Sequence, residues 1–201
     1  TTAAEAEPAN AKANNYKIVF LGNQGLSEMA LRKAAVDELT AFEKQGQRRS
    51  DVDDAAFQME LAYRKAGHAF ATVDYQIEPV GGELVVTFTI KEGPQVILRK
   101  IDITGNATIA TQTLLPFFEE GKSGLFGQGK LLYIKSNIES ALSQIRDFYI
   151  SQGYRDAVVG DAQYSFSDDR SQATVSVSIE EGTRYVVHDI LFRGDLIPDA
   201  E

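Results

Sequence analysis

At 201 residues, with 43% hydrophobic and 24% charged residues, the chain has the balance of an ordinary globular protein and the length of one or two domains. No apolar run approaches the roughly 18 residues of a membrane helix, and a net charge of −9 argues against non-specific binding to nucleic-acid phosphates. The absence of cysteine excludes disulfides and thiolate metal sites.

Residues 1–15 are alanine and polar residues with nothing large and apolar to bury, which predicts a disordered leader. Tyr16 to Leu21 reads as a short strand, ended by the turn residues Gly22-Asn23. Ser27 is a good N-cap for a helix running to about Lys44, with Leu31, Ala35, Leu39 and Phe42 on one face. Ser50 with Asp53 resembles a capping box opening a second helix, which Gly67 stops. A strand is expected from about Phe70 to Glu78, with Ala71, Val73, Tyr75 and Ile77 facing inward. Gly81-Gly82 is a hairpin signal, and Leu84 to Lys91 alternates cleanly as the closing strand.

The same order then repeats. Arg99 to Thr104 is a strand, and a short helix from Thr108 to Leu115 is cut off by Pro116. The glycine-rich stretch from Glu120 to Lys130 is a loop, and a long helix is expected from Leu131 to Gln152. From Asp156 to Phe166 the apolar set changes phase, from Ala157 and Val159 to Ala162, Tyr164 and Phe166, which predicts a bulge near Gly160. Ala173, Val175, Val177 and Ile179 make the closing strand, copying Leu84 to Ile90.

Three signatures mark the repeat. Glu92-Gly93 returns as Glu181-Gly182, a spacing of 89 (182 − 93). The opening strands end in Gly22-Asn23, Gly105-Asn106 and Gly194-Asp195. Helix ends lead into alanine-bearing strands at Gly67-His68-Ala69-Phe70-Ala71 and Gly153-Tyr154-Arg155-Asp156-Ala157. An internal repeat means chained modules. The reading is an α+β protein of tandem β-α-α-β-β units, each a three-stranded mixed sheet covered on one face by two helices. The units are residues 16–94 and 95–182, with the start of a third over residues 183–201.

Other chemistries are weakly supported. Gly124 to Lys130 imitates part of a phosphate-binding loop, but Leu131 stands where magnesium needs Ser or Thr, and the loop follows a helix. His68 and His188 occupy non-equivalent places without a paired carboxylate motif. Asp168-Asp169 falls in a hairpin turn and Glu180-Glu181 at a strand end, where adjacent side chains diverge. No nucleophile, base and oxyanion donor converge. The chain is therefore read as a non-enzyme with no catalytic residue, no metal site and no cofactor.

On these signatures the chain resembles the POTRA (polypeptide-transport-associated) domains of the outer-membrane barrel-assembly family, the BamA/TamA-type proteins and their relatives. His68 departs from the tyrosine usual at its position. The resemblance implies a periplasmic polypeptide-binding and scaffolding module, tethered to the outer membrane by a C-terminal β-barrel that this chain does not contain. Its partners would be unfolded outer-membrane or secreted polypeptides and accessory periplasmic lipoproteins, with no nucleic acid. The alternative is a periplasmic adaptor, like that of a division protein, docking folded partners. The family sheet order of first, third, second strand leaves the middle-numbered strand at an edge. Client binding by β-augmentation is therefore expected at Ala69, Phe70, Ala71, Thr72, Val73, Asp74, Tyr75, Gln76 and Ile77, with an outward N–H at Thr72 or Asp74. Leu125 and Phe126, in the glycine-rich loop, either tuck against the helix pair or form an exposed contact for a partner.

Overall fold

The computed structural model describes residues 16–121 and 130–191. The expected leader, the centre of the glycine-rich loop with Leu125 and Phe126, and Gly194-Asp195 lie outside the described residues. The chain divides into two compact units: residues up to Ile97 with Leu132–Ile134, and Leu98–Leu131 with the residues from Lys135 onward.

In the first unit, β1 (Tyr16–Leu21) runs parallel to β3 (Glu83–Lys91), and β2 (Thr72–Val80) runs antiparallel to it. The order β1-β3-β2 is the one the resemblance implies, and it leaves β2 at an edge. Gly81 and Gly82 both take positive φ, at 61° and 86°, which is what a two-residue hairpin demands. Three helices lie on one face: α1 (Glu28–Ala34), α2 (Val36–Lys44) and α3 (Arg49–Lys65). Ser27 caps α1 through a 3.2 Å bond from the Ala30 N–H.

Two helix expectations are corrected. The first helix is not continuous but kinks at Ala35 (φ −112°), although Leu31, Ala35 and Leu39 stay buried on one face. No proline or glycine marks that kink in the sequence. The second helix begins before Ser50, with Arg48 as the N-cap and no side-chain cap bond. The Arg48 guanidinium instead forks onto Asp51 at 2.9 and 3.2 Å, pairing the buried carboxylate that burial alone would penalise.

The core is one layer between sheet and helices. Leu31, Phe42, Val52, Met59 and Tyr63 meet Val86 and Phe88, all essentially inaccessible to water. Phe20 stacks on Phe88 with ring centres 5.6 Å apart. Fully burying side chains of this kind stabilises by about 1.5–3 kcal/mol each.

In the second unit, β7 (Gln172–Glu180) lies between β4 (Ile97–Thr104) and the pair β5 (Val158–Val159) and β6 (Gln163–Phe166). Four positions along the outer strand, from Val159 to Gln163, span three along β7, from Ile179 to Ser176. That one-residue surplus is the bulge expected near Gly160, and it splits the strand in two. The short helix shrinks to α4 (Thr111–Leu114) and continues as a 3₁₀ segment, Leu115–Gly121, which accommodates Pro116.

The long helix α5 is Lys135–Ser151 rather than starting at Leu131. Residues 131–133 are drawn off into extended pairing. The Tyr133 N–H donates to the Val96 carbonyl at 2.9 Å and Ile97 faces Leu132, while Leu98 donates to Leu131 at 2.7 Å. Ile138, Ile145 and Tyr149 make the buried face of α5, and Ile134 and Leu142 are partly buried. Residues 183–191 form neither helix nor strand, and Ile190 of the expected third opening strand is exposed.

Candidate functional site

The three sequence signatures turn out to be one constellation in space, built twice. After β3 the chain turns at Gly93 (φ 63°), and the Glu92 carboxylate reaches back to the loop that follows Gly22-Asn23. Its Oε1 accepts the N–H groups of Gln24 and Gly25, at 2.6 and 2.7 Å, and the Tyr63 hydroxyl at 2.8 Å. Burial pushes the Glu92 carboxyl up, but these bonds and the nearby His68 outweigh it and hold it below its ordinary value. Burial and the Glu92 charge together push the Tyr63 hydroxyl up.

Glu181 does the same in the second unit, accepting the N–H groups of Thr108 and Ile109 and the Tyr149 hydroxyl at 3.0 Å. Burial opposes its ionisation, yet the bonds from Thr108, Ile109 and Tyr149 hold its carboxyl low. Gly22 and Gly105 take φ of 86° and 83° and press against the Ile90 and Ile179 carbonyls, so no side chain fits at either. Asn23 and Asn106 then tie their loops, each donating to a carbonyl three residues on, at 3.2 and 2.9 Å. These residues hold the modules together. They are latches, each tying its own module's closing strand to its opening loop and helix.

The helix-end signature belongs to the same node. Gly67 (φ 89°) and Gly153 (φ 95°) end α3 and α5, and their carbonyls accept the N–H groups of Val96 and Tyr185, both at 2.8 Å. His68 stands edge-on to Tyr63 as Tyr154 does to Tyr149. Its Nδ1 lies 3.1 Å from the Gly93 carbonyl, a turn-fixing role. Asp169 is likewise a turn residue: bonds from Ser167 and Ser171 hold its carboxyl down at about 2. Among the described residues no three His, Asp or Glu side chains gather as a metal site would need, and no helix is long and apolar enough to cross a membrane.

The open chemistry lies at the edge of β2. This strand starts at Thr72, so Ala69 and Phe70 form a turn and Ala71 precedes the strand as a buried core residue. Val80 faces Glu83 across the two-residue turn. A closing pair of that kind exchanges both hydrogen bonds, and the ladder then alternates. Thr72, Asp74, Gln76 and Glu78 therefore spend their N–H groups on β3, while Val73, Tyr75 and Ile77 turn theirs outward. Two observations agree with that phase. The Val73 N–H donates to the Glu60 carboxylate at 3.1 Å rather than to β3. Pro79, which has no N–H to give, occupies the next outward position.

The expected outward N–H at Thr72 or Asp74 is thus corrected to Val73, Tyr75 and Ile77. The reason is geometric: on this strand the outward N–H groups belong to the residues whose side chains face the helices.

Beside this edge lies a groove of about 340 Å³ between Ala56, Phe57 and Glu60 of α3 and Val73 and Tyr75 of β2. Phe57 is 51% exposed there. The Arg49 guanidinium covers the Tyr75 ring at 5.6 Å and its Nε donates to the Tyr75 hydroxyl at 3.1 Å, fixing one wall. The expected strip from Ala69 to Ile77 thus contains two exposed-edge donors without a protein acceptor among the described residues, Tyr75 and Ile77. The edge offered by the second unit is broken at the bulge.

Comparison with known proteins places these features. The family model described as "POTRA: Surface antigen variable number repeat" matches residues 96–182. The outer membrane protein assembly factor BamA of Nitratidesulfovibrio vulgaris is 26% identical over 143 residues, 69% of this chain and 18% of the relative. BamA of Buchnera aphidicola is 24% identical over 115 residues, 56% of this chain and 19% of the relative. This chain thus spans less than a fifth of the length of these curated relatives. The crystal structure of POTRA domains 3–5 of Haemophilus influenzae BamA superposes with a TM-score of 0.50 at 20% identity, covering 92% of this chain and 72% of that one. BamA from Haemophilus ducreyi lacking POTRA domains 1–3 gives 0.50 at 18% identity, covering 83% and 28%. At such identities the structural likeness shows the fold.

Proposed function

We propose that this chain, whose residues 96–182 belong to the POTRA family and whose residues 16–91 repeat that topology, is the periplasmic scaffold of an outer-membrane protein assembly or secretion factor. In that role it receives extended polypeptides on their way to a membrane barrel carried elsewhere in the full-length protein. The relatives named as BamA support the assembly role. Accessory periplasmic proteins are partners of the same assembly.

The observation that carries the client-binding part is the β2 edge. Tyr75 and Ile77 present N–H and C=O groups to solvent beside a groove in which Phe57 and Ala56 stand among the charged side chains of Arg49, Asp53, Glu60 and Asp74. An extended chain can pair with such groups whatever its sequence, placing a side chain in the groove beside Tyr75. That is binding by main chain, weak and tolerant, which suits a receiver of many clients. Unit one carries it, because its outer strand runs unbroken from Thr72 to Val80.

The test is a pair of substitutions. Ile77→Ala removes the half-buried side chain and keeps the N–H; Ile77→Pro removes both. Binding of an unfolded outer-membrane barrel polypeptide is expected to weaken further in Ile77→Pro than in Ile77→Ala, with both variants folded by circular dichroism. Equal binding by the two would mean that the edge is not the site.

A further inference from the structure

From the geometry of α3 and β2 we infer that Glu60 is a register stop, a side chain that closes the edge at Val73 and fixes where a bound strand begins. This rests on the β2 edge being the client site. Three outward positions precede Pro79 on the strand, and Glu60 takes the first. Its Oε1 accepts the Val73 N–H at 3.1 Å, while its Oε2 is held at 2.7 Å by Arg64, one helical turn on. A carboxylate there does two things. It satisfies a donor that would otherwise invite a strand, and it puts a negative charge where an incoming carbonyl would have to sit. A client carbonyl approaching Val73 meets two carboxylate oxygens, while one approaching Tyr75 or Ile77 meets a free N–H.

The consequence is a defined register. Pairing starts at Tyr75 and runs toward Val80, so the client's main chain engages the hairpin half of β2 and one of its side chains enters the groove against Phe57. The ligand class follows: an extended segment with one side chain pointing into the groove beside Phe57, flanked by residues whose side chains face Asp74, Gln76 and Glu78 on the wet face. Glu60 is a positioning residue, acting on the client through the vacancy it denies.

Synthetic peptides of alternating valine and threonine are the probes, one of about five residues, long enough to fill Tyr75 to Pro79 and unable to add Val73 without giving up an equal length at the other end, and one of about nine, which can reach Val73 as well. Affinities are read by fluorescence anisotropy and folding by thermal melting. Glu60→Ala is expected to tighten the long peptide about three- to tenfold through the added hydrogen bonds and to leave the short one unchanged. Glu60→Gln, which keeps an acceptor for Val73 but loses the charge, should tighten the long peptide less than Glu60→Ala does. Arg64→Ala, which frees Glu60 without touching the core, serves if Glu60→Ala does not fold, and should shift the long peptide in the same direction. Equal effects on both peptides, or none, or a weakening of the long one, overturn the stop while leaving the edge standing. If Ile77→Pro binds both peptides as Ile77→Ala does, the edge reading itself has failed.

Discussion

Removing the Glu92 carboxylate tests whether the repeated Glu-Gly signature is a latch. Glu92→Ala leaves three donors without their acceptor: the Gln24 and Gly25 N–H groups and the Tyr63 hydroxyl. The two N–H groups are exposed, so water can replace the carboxylate there at a cost of about 0.5–1 kcal/mol each. The Tyr63 ring is fully buried, and stranding its hydroxyl costs about 1–3 kcal/mol more. The expected loss is about 2–5 kcal/mol, which in a module this size lowers the melting temperature by at least about 8 °C.

Urea denaturation read by tyrosine fluorescence measures that loss, and Tyr63→Phe closes a double-mutant cycle. The two changes should be strongly non-additive, because they remove the same bond. Acid adds a second reading. The folded Glu92 carboxyl lies below its ordinary value of 4.5, so its contribution is fully present above that value and disappears as pH falls through the lower, folded one. Glu92→Gln should flatten this part of the acid limb. A loss below about 0.5 kcal/mol, or strict additivity with Tyr63→Phe, would refute the latch.

Three further outcomes follow from the same geometry. Glu181→Ala should reproduce the loss in the second unit, since the bonds from Thr108, Ile109 and Tyr149 match those on Glu92; separate melting of the two units would show it. Gly22→Ala should cost at least about 1 kcal/mol more than Gly46→Ala in urea denaturation. Both glycines have φ near 90°, but only Gly22 lies against a carbonyl, that of Ile90. Deleting Asp161 should remove the surplus residue between Val159 and Gln163 and unite β5 with β6. The repaired edge should then bind extended peptides that the unaltered second unit does not, as anisotropy with the isolated peptides would read.

Much of this architecture was legible because it rests on local periodicity. Val86, Phe88 and Ile90, or Val175, Val177 and Ile179, alternate along their strands and are buried as their phase requires. The bulge was legible for the same reason, as a break of phase between Val159 and Ala162 that the pairing with β7 reproduces. What local pattern could not reveal was set by distant partners. Leu131 to Tyr133 have helical company on one side, yet their backbone is taken by Val96 and Leu98. Arg48 displaces Ser50 as the cap because its guanidinium holds Asp51.

The signatures were visible as a repeat, but not as one constellation. Glu92 and Gly25 are 67 residues apart in sequence, and only the fold brings them together. The outward phase of β2 was recoverable in principle, from Pro79 and the two-residue turn, because a proline on a strand must sit where no ladder bond is needed. Glu60 could not have been found this way: nothing in a helix marks a residue that reaches a strand 13 positions later.

The central claim is that client chains pair with the open half of β2. Amide hydrogen exchange of the chain, measured by NMR with and without an extended client peptide, tests it most directly. Pairing predicts that the Tyr75 and Ile77 amides become protected on binding, that the Val73 amide, already held by Glu60, changes little, and that Gln76, bonded to β3 throughout, serves as the internal reference. Peptide binding with unchanged exchange at Tyr75 and Ile77, and new protection on another strand, would contradict it.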